Sequence, residues 1–143
     1  TVAPVCSPAF LKQHAITGPN DLLRLPLFNM ASRPGAWSHW FKSLDIAAPV
    51  AGGMRFEQFS NVSQACVAGL GIALMPLFLI SAEIESGQLV VAYQHTVKSP
   101  SSYYFVTPQA RANTPAVKAF RDWILSEVNR EFDPHAIELL TIS

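Results

Sequence analysis

Charge is scarce in this sequence and nowhere concentrated. Only 14% of the residues are charged, ten basic against ten acidic, and the pI lies near 6.8. A protein that grips nucleic acid directly carries a basic patch, so any contact with DNA must come from another segment. The 50% hydrophobic content excludes a disordered chain. Cysteine is nearly absent too. Cys6 and Cys66 are a poor disulfide framework and read as reduced core thiols of a cytoplasmic protein. Neither has a base beside it in sequence to activate it. His14, His39, His95 and His135 are isolated, with no metal-ligand spacing, so neither metal nor cofactor is expected. No secretory leader opens the chain: Thr1-Val2-Ala3 starts abruptly in an apolar, strand-like run. The lack of an initiator Met suggests part of a longer polypeptide.

One long uncharged run is present: ACVAGLGIALMPLFLISA, residues 65 to 82. Its length approaches that of a membrane span. Gly69, Gly71 and Pro76 interrupt it, and no Lys or Arg cluster anchors either end, so no membrane contact is expected. A phosphate-cradling loop needs strand, glycines and helix in that order. Here the order is reversed. Asn61 with Gln64 forms a candidate capping box opening a helix that ends near Gly69 or Gly71. Ile72 to Met75 then reads as a buried strand, Pro76 as a break, and Leu77 to Glu85 as a second helix closed by Gly87.

The flanking sequence continues this alternation. TVAPVCS is a strand, and Ser7-Pro8 caps a short helix, Pro8 to Gln13. After the turn Gly18 to Asp21, residues 25 to 31 form a strand that Ser32 to Gly35 breaks. In the helix GAWSHWFKSL, Trp37, Trp40, Phe41 and Leu44 form an apolar stripe, read as core rather than as a ligand box. Gly52-Gly53 turns into the half-buried strand MRFEQF; QLVVAY and YYFVTP are further strands. Thr114-Pro115 caps a helix whose Val117, Phe120, Trp123, Ile124 and Val128 share a face. Residues 131–143 form a tail whose apolar residues suggest that it docks on something. Alternating strands and helices give an α/β domain with a largely parallel sheet.

The order of VCSPAFL (5 to 11), GPNDLLRLPLF (18 to 28), WSHWF (37 to 41) and MRFEQFSNVSQACVAGLGIALMP (54 to 76) resembles the effector-binding domain of LysR-type transcriptional regulators. IESGQLVVAY (84 to 93), YYFVTP (103 to 108) and PAVKAFRDWILSE (115 to 127) extend the match. The tryptophan pair of WSHWF is most similar to the glycine-cleavage activator and AmpR-like branch. The resemblance implies a two-lobed, periplasmic-binding-protein-like α/β fold. Its second lobe would be residues 27–98, and its incomplete first lobe residues 1–26 and 99–130. It also implies self-association as a dimer or tetramer, and DNA binding through an N-terminal winged helix-turn-helix not in this chain. The missing first-lobe segment would complete the domain by continuation or association.

In open α/β sheets, ligands bind beyond the carboxyl ends of strands. Ser32, Arg33, Phe59, Ser60, Asn61 and Met75 are the candidate effector contacts. Amide groups near Ser60 and Asn61 favour an anion, and Arg33 can pair with a carboxylate. Each has a plainer role: Ser60 and Asn61 as helix caps, Arg33 as a solvated loop charge, Phe59 as core. The resemblance favours ligand contact, with a small anionic or amino-acid-like effector bound between the lobes. A solute-binding receptor of a transport system is the alternative. No enzyme is expected, because Ser60, Ser63 and Cys66 lack a G-x-S-x-G elbow or a paired base.

Overall fold

The computed structural model describes residues 1–47, 52–99, 103–131 and 137–142. It divides into two compact units, Thr1–Ser99 and Pro100–Ser143.

The first unit is built on a five-stranded sheet in the order β3-β2-β4-β1-β5. Its strands are β1 (Val2–Cys6), β2 (Leu27–Met30), β3 (Arg55–Phe56), β4 (Ile72–Pro76) and β5 (Val90–Val91). β2 runs parallel to β3 and β4, whereas β1 is antiparallel to β4 and β5. The sheet is therefore mixed, and only its β3-β2-β4 half has the parallel arrangement expected. Val2–Cys6 is paired along β4, from Val2 opposite Pro76 to Val5 opposite Ala73. This corrects the assignment of residues 1–26 to a different lobe from 27–98. The backbone groups of β1 find their partners within the first unit.

Side chains alternate across a strand, and that alternation divides the apolar residues into two layers. On one face Cys6, Leu27, Ile72 and Leu74 meet Phe10 of α1 (Pro8–Gln13) and Trp37, Trp40 and Phe41 of α2 (Ala36–Lys42). On the other, Val5, Phe28, Ala73 and Met75 meet Val62 and Cys66 of α3 (Phe59–Val67), with Ile80 and Leu89. The tryptophan stripe is core, as its spacing implies. A buried indole N–H needs an acceptor. Trp37 Nε1 donates to the Phe28 carbonyl at 2.9 Å and Trp40 Nε1 to the His95 carbonyl at 3.0 Å.

Local chemistry sets several boundaries. Ser7 caps α1, its hydroxyl accepting from the Phe10 N–H at 3.1 Å, with Pro8 in the first turn. The run 65–82 resolves into the end of α3, a turn at Gly69 (φ +75°), β4, and a second helical segment. That segment is split: a 3-10 turn, Leu77–Ile80, precedes α4 (Ser81–Glu85). Gly71 admits no side chain, because a Cβ there would lie 2.6 Å from both the Phe28 ring and the Pro26 carbonyl oxygen. Among the described residues, no helix is long and apolar enough to cross a membrane.

The second unit is a strand–helix–strand motif. β6 (Tyr103–Pro108) and β7 (Ile137–Ile142) pair in parallel over six residue pairs, and α5 (Pro115–Glu131) connects them. Residues 137–142 of the expected tail thus form a strand. Thr114 stands before α5 as expected, but its hydroxyl donates to the Arg111 carbonyl at 2.9 Å. Tyr104, Val106, Phe120 and Trp123 are all about half exposed.

Candidate functional site at the carboxyl edge of the sheet

Because β2, β3 and β4 are parallel, their carboxyl ends, Met30, Phe56 and Pro76, lie at one edge of the sheet. The ladder runs past the end of β2, where the Ala31 N–H donates to the Phe56 carbonyl at 2.8 Å. A turn follows, closed by the Arg33 N–H on the Met30 carbonyl at 3.0 Å. The β2–α2 turn and the start of α3 therefore share this edge, where ligands gather in open α/β sheets.

The candidate residues fall into three groups. Ser60 and Asn61 are exposed in the first turn of α3, and Ser32 is exposed in the turn after β2. Arg33 and Phe59 are partly buried; Phe59 packs against the α3-side core while standing at the helix start. Met75 is fully buried among the apolar residues on the α3 face. Its side chain packs in the interior beneath the edge.

Asn61 does not open the helix. α3 begins at Phe59 after Gln58, and no side chain caps it. The apolar Phe59 packs onto the core, so the helix begins upstream of the polar residue whose spacing suggested a cap. The first N–H groups of α3 are left without a side-chain acceptor, and the helix dipole makes this end favourable to an anion. A neighbouring hydroxyl is less well placed. Ser63 is buried one turn in, and its Oγ has no hydrogen-bond partner among the described residues.

A cleft of about 130 Å³ opens beside this edge, lined by Asn29, Met30, Pro34, Gly52, Gly53 and Arg55. Its walls contain none of the six candidate effector contacts. Arg55 was missed because its proximity to Asn29 comes from the parallel register that sets them opposite each other. The one local signal is Gly52-Gly53. Gly53 has φ +104°, and a Cβ there would lie 2.3 Å from the Leu27 carbonyl oxygen, so glycine is needed for this close approach.

The nucleophile candidates gain no activation. Burial pushes the Cys66 thiol up to about 12, with Cys6 adding to the effect and a hydrogen bond from the Ala73 backbone opposing it. Burial likewise raises Cys6 to about 11. Such thiols stay protonated and unreactive at neutral pH. The fold does bring one serine to a histidine: Ser43 Oγ lies 2.9 Å from His95 Nε2. The Ser43 hydroxyl donates to the Trp40 carbonyl at 2.6 Å, which commits its only proton. His95 Nε2 must then donate to Ser43, the reverse of what a general base does. Among the described residues, no group of three His, Cys, Asp or Glu could hold a metal ion.

Comparison with known proteins gives this arrangement a lineage. The family model for the LysR substrate binding domain matches residues 1–129. The glycine cleavage system transcriptional activator of Escherichia coli K12 is 32% identical over 130 residues, covering 90% of this chain and 42% of that protein. The transcriptional activator AmpR of Yersinia enterocolitica is 31% identical over 132 residues, covering 91% of this chain and 44% of that protein. Among solved structures, the effector domain of AmpR from Pseudomonas aeruginosa superposes with a TM-score of 0.75 at 24% identity, covering 91% of this chain and 62% of that one. The AmpR effector-binding domain of Citrobacter freundii gives 0.73 at 24% identity, covering 90% and 64%. These structures share the periplasmic-binding-protein-like α/β fold. The chain spans less than half the length of the curated relatives and under two thirds of the solved effector domains. It belongs to the LysR substrate-binding domain family of transcriptional regulators and comprises part of that domain.

Proposed function

We propose that this chain senses a small anionic or amino-acid-like effector and transmits its binding to a DNA-binding domain elsewhere in the same cytoplasmic polypeptide. The observation that carries this reading is the uncapped start of α3, which presents Ser60 and Asn61 to solvent at the carboxyl edge of parallel strands. Unpaired helix N–H groups together with side-chain amide and hydroxyl donors suit a carboxylate. Ser32 and Arg33 add a hydroxyl and a guanidinium from the β2–α2 turn. The family resemblance assigns the opposite wall mostly to a first-lobe segment absent from this chain.

A regulator transmits binding by a difference in affinity between two conformations. An effector that favours one domain arrangement shifts its population, and self-association of the domains converts that shift into a new spacing of the DNA-binding parts. A winged helix-turn-helix is the reader of DNA that the family resemblance implies; this chain itself balances ten basic against ten acidic residues. The curated relatives named above are regulators, which favours this reading over a transport receptor or an enzyme.

The test is a thermal-shift screen of amino acids and small carboxylates on the complete effector domain. An active compound should raise the Tm, and Asn61→Ala or Ser60→Ala should abolish the rise while leaving the unliganded Tm unchanged. A rise that survives both substitutions, or no rise with any compound of this class, overturns the assignment.

A further inference from the structure

The cleft beside the carboxyl edge is lined by Asn29, Met30, Pro34, Gly52, Gly53 and Arg55. Met30 and Phe56 are partners across β2 and β3, and both pack against the α3-side core. By alternation, the preceding pair, Asn29 and Arg55, projects from the other face. The Asn29 carboxamide donates one N–H to the Gly52 carbonyl at 3.0 Å, which fixes its orientation. Its second N–H and its oxygen remain for a ligand. Arg55 is exposed, and no hydrogen bond or ion pair holds its guanidinium among the described residues. Glu57, two residues on, forms no ion pair with it.

We infer that this cleft is a subsite for a small monocarboxylate bearing a hydrogen-bonding group on its α carbon. Arg55 presents a planar fork that pairs both carboxylate oxygens. The Asn29 amide meets the α substituent, and Pro34 closes the apolar side. Size fits the class: a cleft of about 130 Å³ suits a small ligand. The inference stands apart from the effector reading, which rests on the start of α3.

The experiment is an NMR titration of the full chain with glycolate, acetate and sodium chloride at constant ionic strength. Glycolate should shift the Arg55 side-chain N–H and the Gly52 and Gly53 amides along saturable curves, with acetate weaker. Arg55→Gln should lower the glycolate affinity at least tenfold, and Arg55→Lys should restore part of it. Shifts at Arg55, Gly52 and Gly53 are read separately from shifts at Ser60 and Asn61, which separates failure here from failure of the effector assignment. Equal shifts with chloride would mean an adventitious ion only. That result, or an Arg55→Gln titration indistinguishable from the parent, overturns the inference.

Discussion

The two units use the same elements and reach different degrees of closure. In Thr1–Ser99 the sheet is covered on both faces, and Trp40, Phe41, Ile72, Met75 and Val5 are completely buried. In the second unit two parallel strands and one helix share the task, and Trp123 remains 56% exposed. Five strands with a helical layer on each face bury their apolar side chains from both sides. A two-stranded parallel sheet with one helix cannot do so, and parallel pairing is the weaker kind per residue. Closure is thus a property of each unit's layers. The composition of the whole chain does not report it.

Cutting the chain puts this contrast to its severest test. A fragment of residues 1–99 should unfold cooperatively in urea, followed by circular dichroism. A fragment of residues 100–143 should show no cooperative transition. Equal cooperativity in both would erase the contrast.

A matched pair of substitutions comes next in size. Trp40→Ala should cost about 3–5 kcal/mol, since it empties a fully buried site and orphans the His95 carbonyl. Trp123→Ala, at a half-exposed site, should change stability by less than about 0.5 kcal/mol. Chemical denaturation of both variants reads the difference directly.

Gly71→Ala tests how tightly the first unit is packed. The added methyl meets the Phe28 ring and the Pro26 carbonyl, and overpacking of this sort costs about 1–3 kcal/mol. A neutral result would show that the α3–β4 turn can shift.

The thiols give a pH prediction of known sign. Cys6 and Cys66 are held protonated in the folded chain up to about 11 and about 12, against an ordinary value of 9.0. Above pH 9 the unfolded chain loses protons that the folded chain keeps, so stability should fall from pH 9 toward 11–12 and be flat in this respect below it. A double Cys→Ala variant should lose that decline. Folded protein should also resist a thiol reagent at pH 8 until denaturant is added.

The smallest effect concerns Ser63. Its hydroxyl is buried without a partner among the described residues, so Ser63→Ala should be neutral or stabilising by up to about 1 kcal/mol. A clear loss of stability would reveal an acceptor for that hydroxyl.

Much of the fold was legible residue by residue. The Trp37-Trp40-Phe41 stripe, the Ser7-Pro8 cap and the glycine turn before β4 all depend on local chemistry, and all are present. Errors arose where a distant partner decides. Val2–Cys6 looks like a strand anywhere, but only its pairing with Ile72–Pro76 assigns it to the first unit. Ile137–Ile142 reads as a tail until β6 supplies its hydrogen bonds. At the candidate site, exposure of Ser60 and Asn61 followed from a helix start, whereas the burial of Met75 at a strand end depends on what covers it.

Sequence alone determined the α/β class, the succession of the main elements as far as α5 and the family, because periodicity, caps and turns act over a few residues and their succession is distinctive. Tertiary structure alone decided which strands share a sheet, which face each candidate residue occupies, and that Asn29 and Arg55 stand side by side. The physical reason is that backbone hydrogen bonds between strands are indifferent to side-chain identity. Register, and with it the composition of every surface cleft, is settled only when the layers close over the sheet.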